Sequence, residues 1–313
     1  MEDDKKGIIL VVAAMTIFVV QDILIKFLSD DISMFQIMFC RSIIGVLLIS
    51  TYLKLSNKPL NFGTNYPFLS TCRGLLFFLG YSAFYFAQSK VPIANAMVLF
   101  LVSPFFITIM SIIVFGSLVG ISRWITMIIG FSGVIVIAQP EAGEFNFYYL
   151  LPVVCAFTYA ASMMIAKFTA EKDDVFQQII FMYLVTATVS GALGLGIGDG
   201  RFNTTEYAGY EFLTQGWHFD QIFILWAVFA IGIVGTSGFL LLTTAYRIAD
   251  PAKVSPFEYS GLIATMLGGF IFWGDIPSMK EALGMMLIVG SGLILFYREH
   301  LRHQTIASEA PLR

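Results

Sequence analysis

Four ionisable side chains, Asp22, Arg41, Arg73 and Glu258, sit inside long apolar runs of the sequence. An ionised side chain at the centre of a membrane span costs about 2.5–3.5 kcal/mol, so four left alone would cost about 10–14 kcal/mol. They must therefore face one another, water or a ligand. Asp22 lies about six residues, or ~9 Å at 1.5 Å per residue, from the end of its run, and Arg41 lies about as deep in the next. Arg73 and Glu258 match in depth at the opposite side. Two ion pairs are expected, Asp22 with Arg41 and Arg73 with Glu258. Each would close a vestibule or act as a static bridge fixing helix register. Lys26 reads as a snorkelling lysine at a span end or as the i,i+4 partner of Asp22.

Aromatic residues surround these charges. Tyr81, Phe84 and Tyr85 form an i, i+3, i+4 stripe, Tyr259 adjoins Glu258, and Trp226 lies deep in a later run. Such faces either pack helices or hold organic cations and flat rings. Arg73, Glu258, Tyr259, Tyr81, Tyr85 and Trp226 are therefore the candidate substrate contacts, with Asp22, Arg41 and Lys26 as gating or ion-pair residues. Pro104 falls in mid-run, where it frees a carbonyl and kinks the helix. Pro251 and Pro256 bracket the start of a later run. Pro104 and Pro256 are the candidate hinges, although Pro256 also suits an ordinary first-turn proline. Glu258 is the candidate for a carboxylate that exchanges a proton during turnover.

Catalysis finds little support. His218, His300 and His303 lie outside the apolar runs, no H-E-x-x-H occurs, and no Ser/His pair shares a run. Cys40, Cys72 and Cys155 lack metal-ligand spacing and read as small core residues. No catalytic residue, metal or cofactor is expected. The run Gly194-x-Gly196-x-Gly198-x-Gly200 is not followed by Gly-Lys-Ser/Thr, so any energy source is a gradient, exchange or the solute's own concentration difference.

The elements that position these residues follow from composition. Of 313 residues, 58% are hydrophobic and 12% charged, and mean hydropathy is +0.81. A soluble domain carries about 45–50% apolar and about 25% charged residues, so this chain reads as an all-α polytopic membrane protein in contact with lipid. A net charge of −3 gives no basic surface for nucleic acid. Ten spans are predicted at roughly 7–28, 34–54, 66–88, 93–115, 122–139, 147–168, 175–197, 221–246, 252–274 and 279–297. Connections are short except 198–220, a polar and aromatic segment long enough to be an external flap, or else a passive loop. Loop Lys and Arg favour one side about threefold, which places both termini in the cytoplasm and requires an even number of spans.

The halves resemble one another in register. Lys26-Phe27 and Phe35-Gln36 recur as Lys167-Phe168 and Phe176-Gln177 at an offset of 141. Ala87, Ala94 and Gly116 recur as Ala245, Ala252 and Gly274 at 158, and the long 198–220 segment accounts for the difference. Units of five spans, an odd number, must be inverted relative to each other. Residues 1–140 are the first five-helix repeat, 141–299 the second, and 300–313 a cytoplasmic tail. Asp22, Arg41, Arg73 and Glu258 face Met163, Met182, Ile231 and Phe100 at these offsets, so each charge belongs to one half alone. Inverted repeats are a frequent plan among secondary transporters, with solute bound near the midplane.

The ten-span plan resembles the drug/metabolite transporter superfamily, EamA-like branch, over essentially the whole chain. So do Ala87, Pro92-x-Ala94 leading into Ser103-Pro104, Gly116, Arg123-Trp124, and Gly130-x-x-Gly133 ahead of Gln139-Pro140. Asp22-x-x-x-Lys26, Arg73-Gly74 and Ser255-Pro256-Phe257-Glu258-Tyr259 are similar in pattern to S-adenosylmethionine or riboflavin uptake carriers. One departure is Ser117 after Gly116, where the family usually has an acid. The resemblance implies a carrier in a bacterial inner membrane that moves a small polar metabolite, amino-acid-like or S-adenosylmethionine-like, by alternating access. Protons are a candidate coupling partner. Riboflavin uptake and metabolite or drug export stay open, and a receptor or membrane enzyme is disfavoured. Oligomeric state is not legible.

Overall fold

A computed structural model describes residues 2–115, 121–138, 146–204, 209–249 and 254–309. Gly116, Ser117, Gln139, Pro140, Pro251, Ala252 and Arg313, which enter the sequence reading, lie outside them. Among the described residues the chain is helical with no strand. The helices are α1 (Glu2–Leu28), α2 (Met34–Leu55), α3 (Pro67–Gln88), α4 (Ile93–Phe100), α5 (Ser103–Phe115), α6 (Ile121–Ala138), α7 (Leu151–Thr169), α8 (Val175–Ile197), α9 (Glu211–Thr214), α10 (Ile222–Ile248), α11 (Ser260–Trp273) and α12 (Met279–Glu309). Short 3₁₀ turns, Phe147–Leu150 and Ser255–Tyr259, lead into α7 and α11. Within the described residues each predicted apolar segment is helical over most of its length, and α12 runs past the expected boundary at 299. Among the described residues six stretches are long and apolar enough to cross a membrane: Asp3–Leu28, Met34–Leu55, Ile93–Val114, Phe147–Thr169, Val175–Ile197 and Ile222–Ile248.

Local chemistry sets the helix ends. The Ser33 hydroxyl accepts the Phe35 N–H at the start of α2, and the Asp174 carboxylate accepts that of Gln177 at the start of α8. Pro67 occupies the first turn of α3, where a missing N–H costs nothing. Gly274 ends α11 in the left-handed region at φ 69°, and its N–H bonds to the Phe270 carbonyl.

Packing pairs helices across the two halves of the chain. The helix α1 lies along α10 and α7 along α3, α2 runs against α8, and α6 against α12. Further contacts join α2 to α10, α3 to α8, α5 to α7 and α1 to α11. Apolar residues such as Ile9, Leu47, Leu79, Leu195, Ile263 and Met286 cover the periphery, as hydrocarbon requires.

Two loop structures finish opposite ends of the helices. Before α3, Thr64 and Asn65 donate to the buried Asp173 carboxylate, and Arg247 Nη1 donates to the Asp173 carbonyl at 2.7 Å. The 198–220 segment is packed rather than loose. Gln36 and the His218 backbone exchange two hydrogen bonds of 2.5 and 3.0 Å, Gln215 donates to the Asp30 carbonyl, and Lys90 lies 3.6 Å from Glu211. Phe212 is buried, Tyr210 stacks on Phe86, and Trp217 sits against Phe39 over Gly194 and Gly198, where a Cβ would collide with the indole.

Candidate functional site

A broken helix meets the 3₁₀ turn that leads into α11 at the centre of the bundle. Pro104 has no N–H to continue the helix, so the segment 93–115 splits at Leu101–Val102 into α4 and α5, and the Phe105 N–H turns to the Val102 carbonyl. The Leu101 carbonyl is thereby released and accepts the Tyr259 hydroxyl at 3.1 Å. Tyr259 ends the 3₁₀ turn that carries Pro256 at its start, so the turn faces the break. Tyr259 is thus a brace between the turn and the break.

Glu258 is fully buried here. Its Oε1 accepts the hydroxyls of Tyr159, at 2.5 Å, and Tyr246, and its Oε2 accepts Ser103 at 3.1 Å. An ionised Glu258 can accept all three hydroxyls; a protonated one has a proton of its own to donate, which a neighbouring hydroxyl can accept by turning. Hydrogen bonds to a charged group are worth about 1.5–3 kcal/mol each, enough to offset much of its burial.

The expected Arg73–Glu258 ion pair is not formed. Arg73, 2% exposed, spends its guanidinium on neutral oxygens: Nε on Ser162 at 3.4 Å, Nη1 on Gln178 at 3.2 Å and Nη2 on Thr243 at 3.4 Å. The two charges nevertheless share supports. On α7, Tyr159 and Ser162 stand at i and i+3; on α10, Thr243 and Tyr246 do the same. Each helix offers one hydroxyl to the arginine and one to the glutamate, about 4.5 Å apart along its axis. Depth matching located the neighbourhood, and the hydroxyls intervene because each charge is satisfied without crossing the gap.

The Asp22–Arg41 pair is not formed either. Arg41, 1% exposed, donates through Nη1 to the Tyr85 hydroxyl and lies over Phe77, Tyr81 and Tyr85 at 5.3, 5.5 and 5.8 Å from their ring centres. Gln21 Nε2 also donates to Tyr85, at 3.0 Å. Asp22 has Gln21 and Gln88 as polar neighbours and feels Arg41 through space. Among the described residues, none of these four buried charges has an opposite charge within 4 Å.

A narrow cavity of about 30 Å³ joins the two regions. Gln21 and Asp22 line one part and Tyr159 another, with Tyr81, Phe84, Phe100 and Cys155 between. An adjoining space shares Tyr81, Cys155 and Tyr159 and reaches Ser162 beside Arg73. Cys155 is thus a cavity-lining thiol as well as a small core residue.

Other expected contacts lie elsewhere. Trp226 is 65% exposed and stacks edge-on to Phe229, within an outward apolar stripe that includes Ile222 and Ile233. Its depth in the run reflects lipid contact, since the face of α10 that meets α1 is the one bearing Gly235, Phe239, Leu242 and Tyr246. Lys26 does not reach Asp22: its ammonium donates to the Val91 carbonyl at 3.4 Å, lies 3.8 Å from Asp275 and covers Trp273 at 4.9 Å. The residues that sequence reasoning missed are Gln21, Gln88, Tyr159, Ser162, Gln178, Thr243 and Tyr246. A usable signal existed in the i, i+3 hydroxyl pairs and in glutamines within apolar runs.

A bundle of apolar helices, six stretches of which among the described residues are long and apolar enough to cross a membrane, defines a polytopic membrane protein. The chain belongs to the EamA-like transporter family, which matches residues 5–139 and 146–297. Among bacterial relatives, the S-adenosylmethionine uptake transporter of Rickettsia prowazekii (strain Madrid E) is 22% identical over 90% of this chain and 88% of its own length. The riboflavin transporter of Rhizobium johnstonii is 29% identical over 77% of this chain and 74% of its own. A pseudopaline exporter of Pseudomonas aeruginosa is 26% identical over 91% and 94%. A crystal structure with 16% identity covers 92% of this chain and 96% of the other at a TM-score of 0.66, a likeness of fold. Family and relatives point to transport rather than enzymatic turnover, in a multi-pass bacterial membrane protein.

Proposed function

We propose that this protein is a secondary carrier that moves a small polar organic metabolite, amino-acid-like or S-adenosylmethionine-like, across the bacterial inner membrane by alternating access between two inverted five-helix halves, with both termini cytoplasmic. The observation that carries the reading is the set of four buried charges that have no ionic partner among the described residues, one of which, Asp22, lines a narrow central cavity. Charges kept in apolar surroundings without counter-ions suit a ligand that bears both signs.

The repeat gains support from bonds that recur at the sequence offsets. Lys26 donates to the Val91 carbonyl, and Lys167, 141 residues on, donates at 2.8 Å to the carbonyl of Ala249, 158 residues after Val91. Helix pairing follows the same exchange, α1 with α10 and α7 with α3. The break and the turn also correspond, since Leu101 and Tyr259 are 158 apart and bonded to each other. The narrow cavity suits a closed intermediate in which solute access requires the halves to rock apart. Glu258, held by three hydroxyls that can reverse donor and acceptor roles, is the group proposed to exchange a proton.

Thermal shift of detergent-purified protein against S-adenosylmethionine, riboflavin, amino acids and organic cations tests the reading, followed by counterflow in proteoliposomes. A ligand that binds only the folded state raises stability by RT ln(1 + [L]/Kd), so a true solute gives a concentration-dependent shift. Saturable counterflow of that solute supports a carrier; a shift without counterflow overturns it. A second reading, riboflavin uptake, is favoured by the aromatic lining of Tyr81, Phe84, Phe100 and Tyr159, and the same panel distinguishes it.

A further inference from the structure

The two buried arginines differ in what they have left to offer. Arg73 uses Nε, Nη1 and Nη2 on protein oxygens. Arg41 Nη2 has no hydrogen-bond partner, and neither do Gln21 Oε1, Tyr183 Oη or Thr236 Oγ1, all of them buried. These atoms belong to one place. A Cβ on Gly235 would collide with Gln21 Oε1 and stand 3.2 Å from Arg41 Nη2; one on Gly45 would collide with the Tyr183 ring and stand 2.6 Å from Thr236 Oγ1. The Tyr183 side chain also lies beside the Arg41 guanidinium. Four helices, α1, α2, α8 and α10, thus converge two glycines and three unsatisfied polar atoms on one cation that, among the described residues, has no carboxylate within 4 Å.

Leaving a buried polar atom unpartnered costs free energy, and doing so with several around one guanidinium marks a place where a ligand completes the set. We propose that Arg41, rather than Arg73, receives the carboxylate of the transported solute, at a station formed with Gln21, Tyr183 and Thr236. The inference rests on the carrier reading and sharpens its substrate class to a zwitterion. Guanidinium nitrogens and two hydroxyls supply donors that a carboxylate can accept. Gln21 links the station to the cavity, and the next residue, Asp22, lines that cavity without a cation within 4 Å, ready for an ammonium or sulfonium of the same molecule. Gly45 and Gly235 let α2, α8 and α10 close over the station when it is empty; moving α10 from α2 opens it.

Repeat geometry separates the two arginines further. Tyr85, which accepts from Arg41, and Gln21, which donates to that same Tyr85 hydroxyl, correspond at offsets of 158 and 141 to Thr243 and Ser162, which accept from Arg73 directly. The halves therefore build equivalent arginine seats, and Gln178 fills the second one on Arg73 Nη1. The residue 141 before Gln178 is Ile37, which has no polar atom to offer in the first seat.

The test compares matched ligands on the purified full chain: methionine against methioninamide, S-adenosylmethionine against its decarboxylated form, and riboflavin as a carboxylate-free control. Affinity is read by thermal shift and titration in wild type, Arg41→Lys, Arg73→Lys, Tyr183→Phe and Thr236→Val. The expected result is a preference of about tenfold or more for a carboxylate-bearing form in wild type. That ratio collapses in Arg41→Lys, falls several-fold in Tyr183→Phe and Thr236→Val, and survives in Arg73→Lys. Thr236→Val removes a hydroxyl that bonds to nothing and Tyr183→Phe one that interacts only with the Arg41 guanidinium, so they keep the test decisive if Arg41→Lys fails to fold. A ratio unchanged in those variants, or lost only in Arg73→Lys, overturns the station while leaving the carrier intact. Binding and counterflow of riboflavin alone does the same. No binding and no counterflow for any ligand of the panel overturns both.

Discussion

Arg41 and Arg73 are both buried, both lie in apolar helices of the first half, and both rest on a pair of supports from equivalent positions. They differ in completion. The seat of Arg73 is closed by protein oxygens; the seat of Arg41 leaves a nitrogen and three neighbouring polar atoms without bonds. Burial of a charge by itself therefore does not mark a binding residue. What marks it is the balance between the donors a group presents and the acceptors the fold supplies.

The widest separation between the two seats is expected in apo stability. Arg73→Leu strips donors from Ser162, Gln178 and Thr243, and unfolding in detergent should show a loss of about 3 kcal/mol or more. Arg41→Met removes a charge that is only partly satisfied, and should change stability by about 1 kcal/mol or less, or raise it. Equal losses would erase the distinction. Next in size, Glu258→Gln keeps shape but cannot accept three hydroxyls in the same way. Transport should fall about tenfold or more, and what remains should lose its dependence on pH; an unchanged pH profile removes Glu258 from coupling.

A smaller effect concerns access. Cys155 lies in the cavity between the two seats, so a charged methanethiosulfonate should label it slowly in the closed protein and a bound solute should slow it further. Labelling at the rate of an exposed thiol would contradict a closed cavity. The smallest effect lies in the 198–220 segment, away from both seats. The Gly209 N–H, 2.7 Å from Glu211, together with Lys90, holds the Glu211 carboxyl below its usual range. A lowered folded-state value means the link is complete at neutral pH and is lost as pH falls through that lowered range, so hydrogen exchange around 209–214 should rise only in acid. A rise beginning near neutrality would reassign the contact.

Helices were legible because apolar runs bounded by Pro, Gly and charge leave few alternatives in hydrocarbon, and Val175–Ile197 coincides with its predicted span. Pro104 also foretold the break before Ser103. The pairings were not legible. Depth placed Arg73 level with Glu258, but which side chain reaches which depends on rotation about each helix axis, and Tyr159, Ser162, Thr243 and Tyr246 occupy the space between. Trp226 shows the same limit: position along α10 gave its depth and could not give its face.

The bond from Tyr259 to the Leu101 carbonyl has a consequence for how the protein is made. During synthesis the first half enters the bilayer with an interrupted helix whose released acceptor has no water to turn to, and its partner hydroxyl is still more than 150 residues from being translated. Each half thus waits for the other to finish its own backbone. Assembly of this bundle is a joint event, and a severed first half should be a client for membrane quality control until its complement arrives.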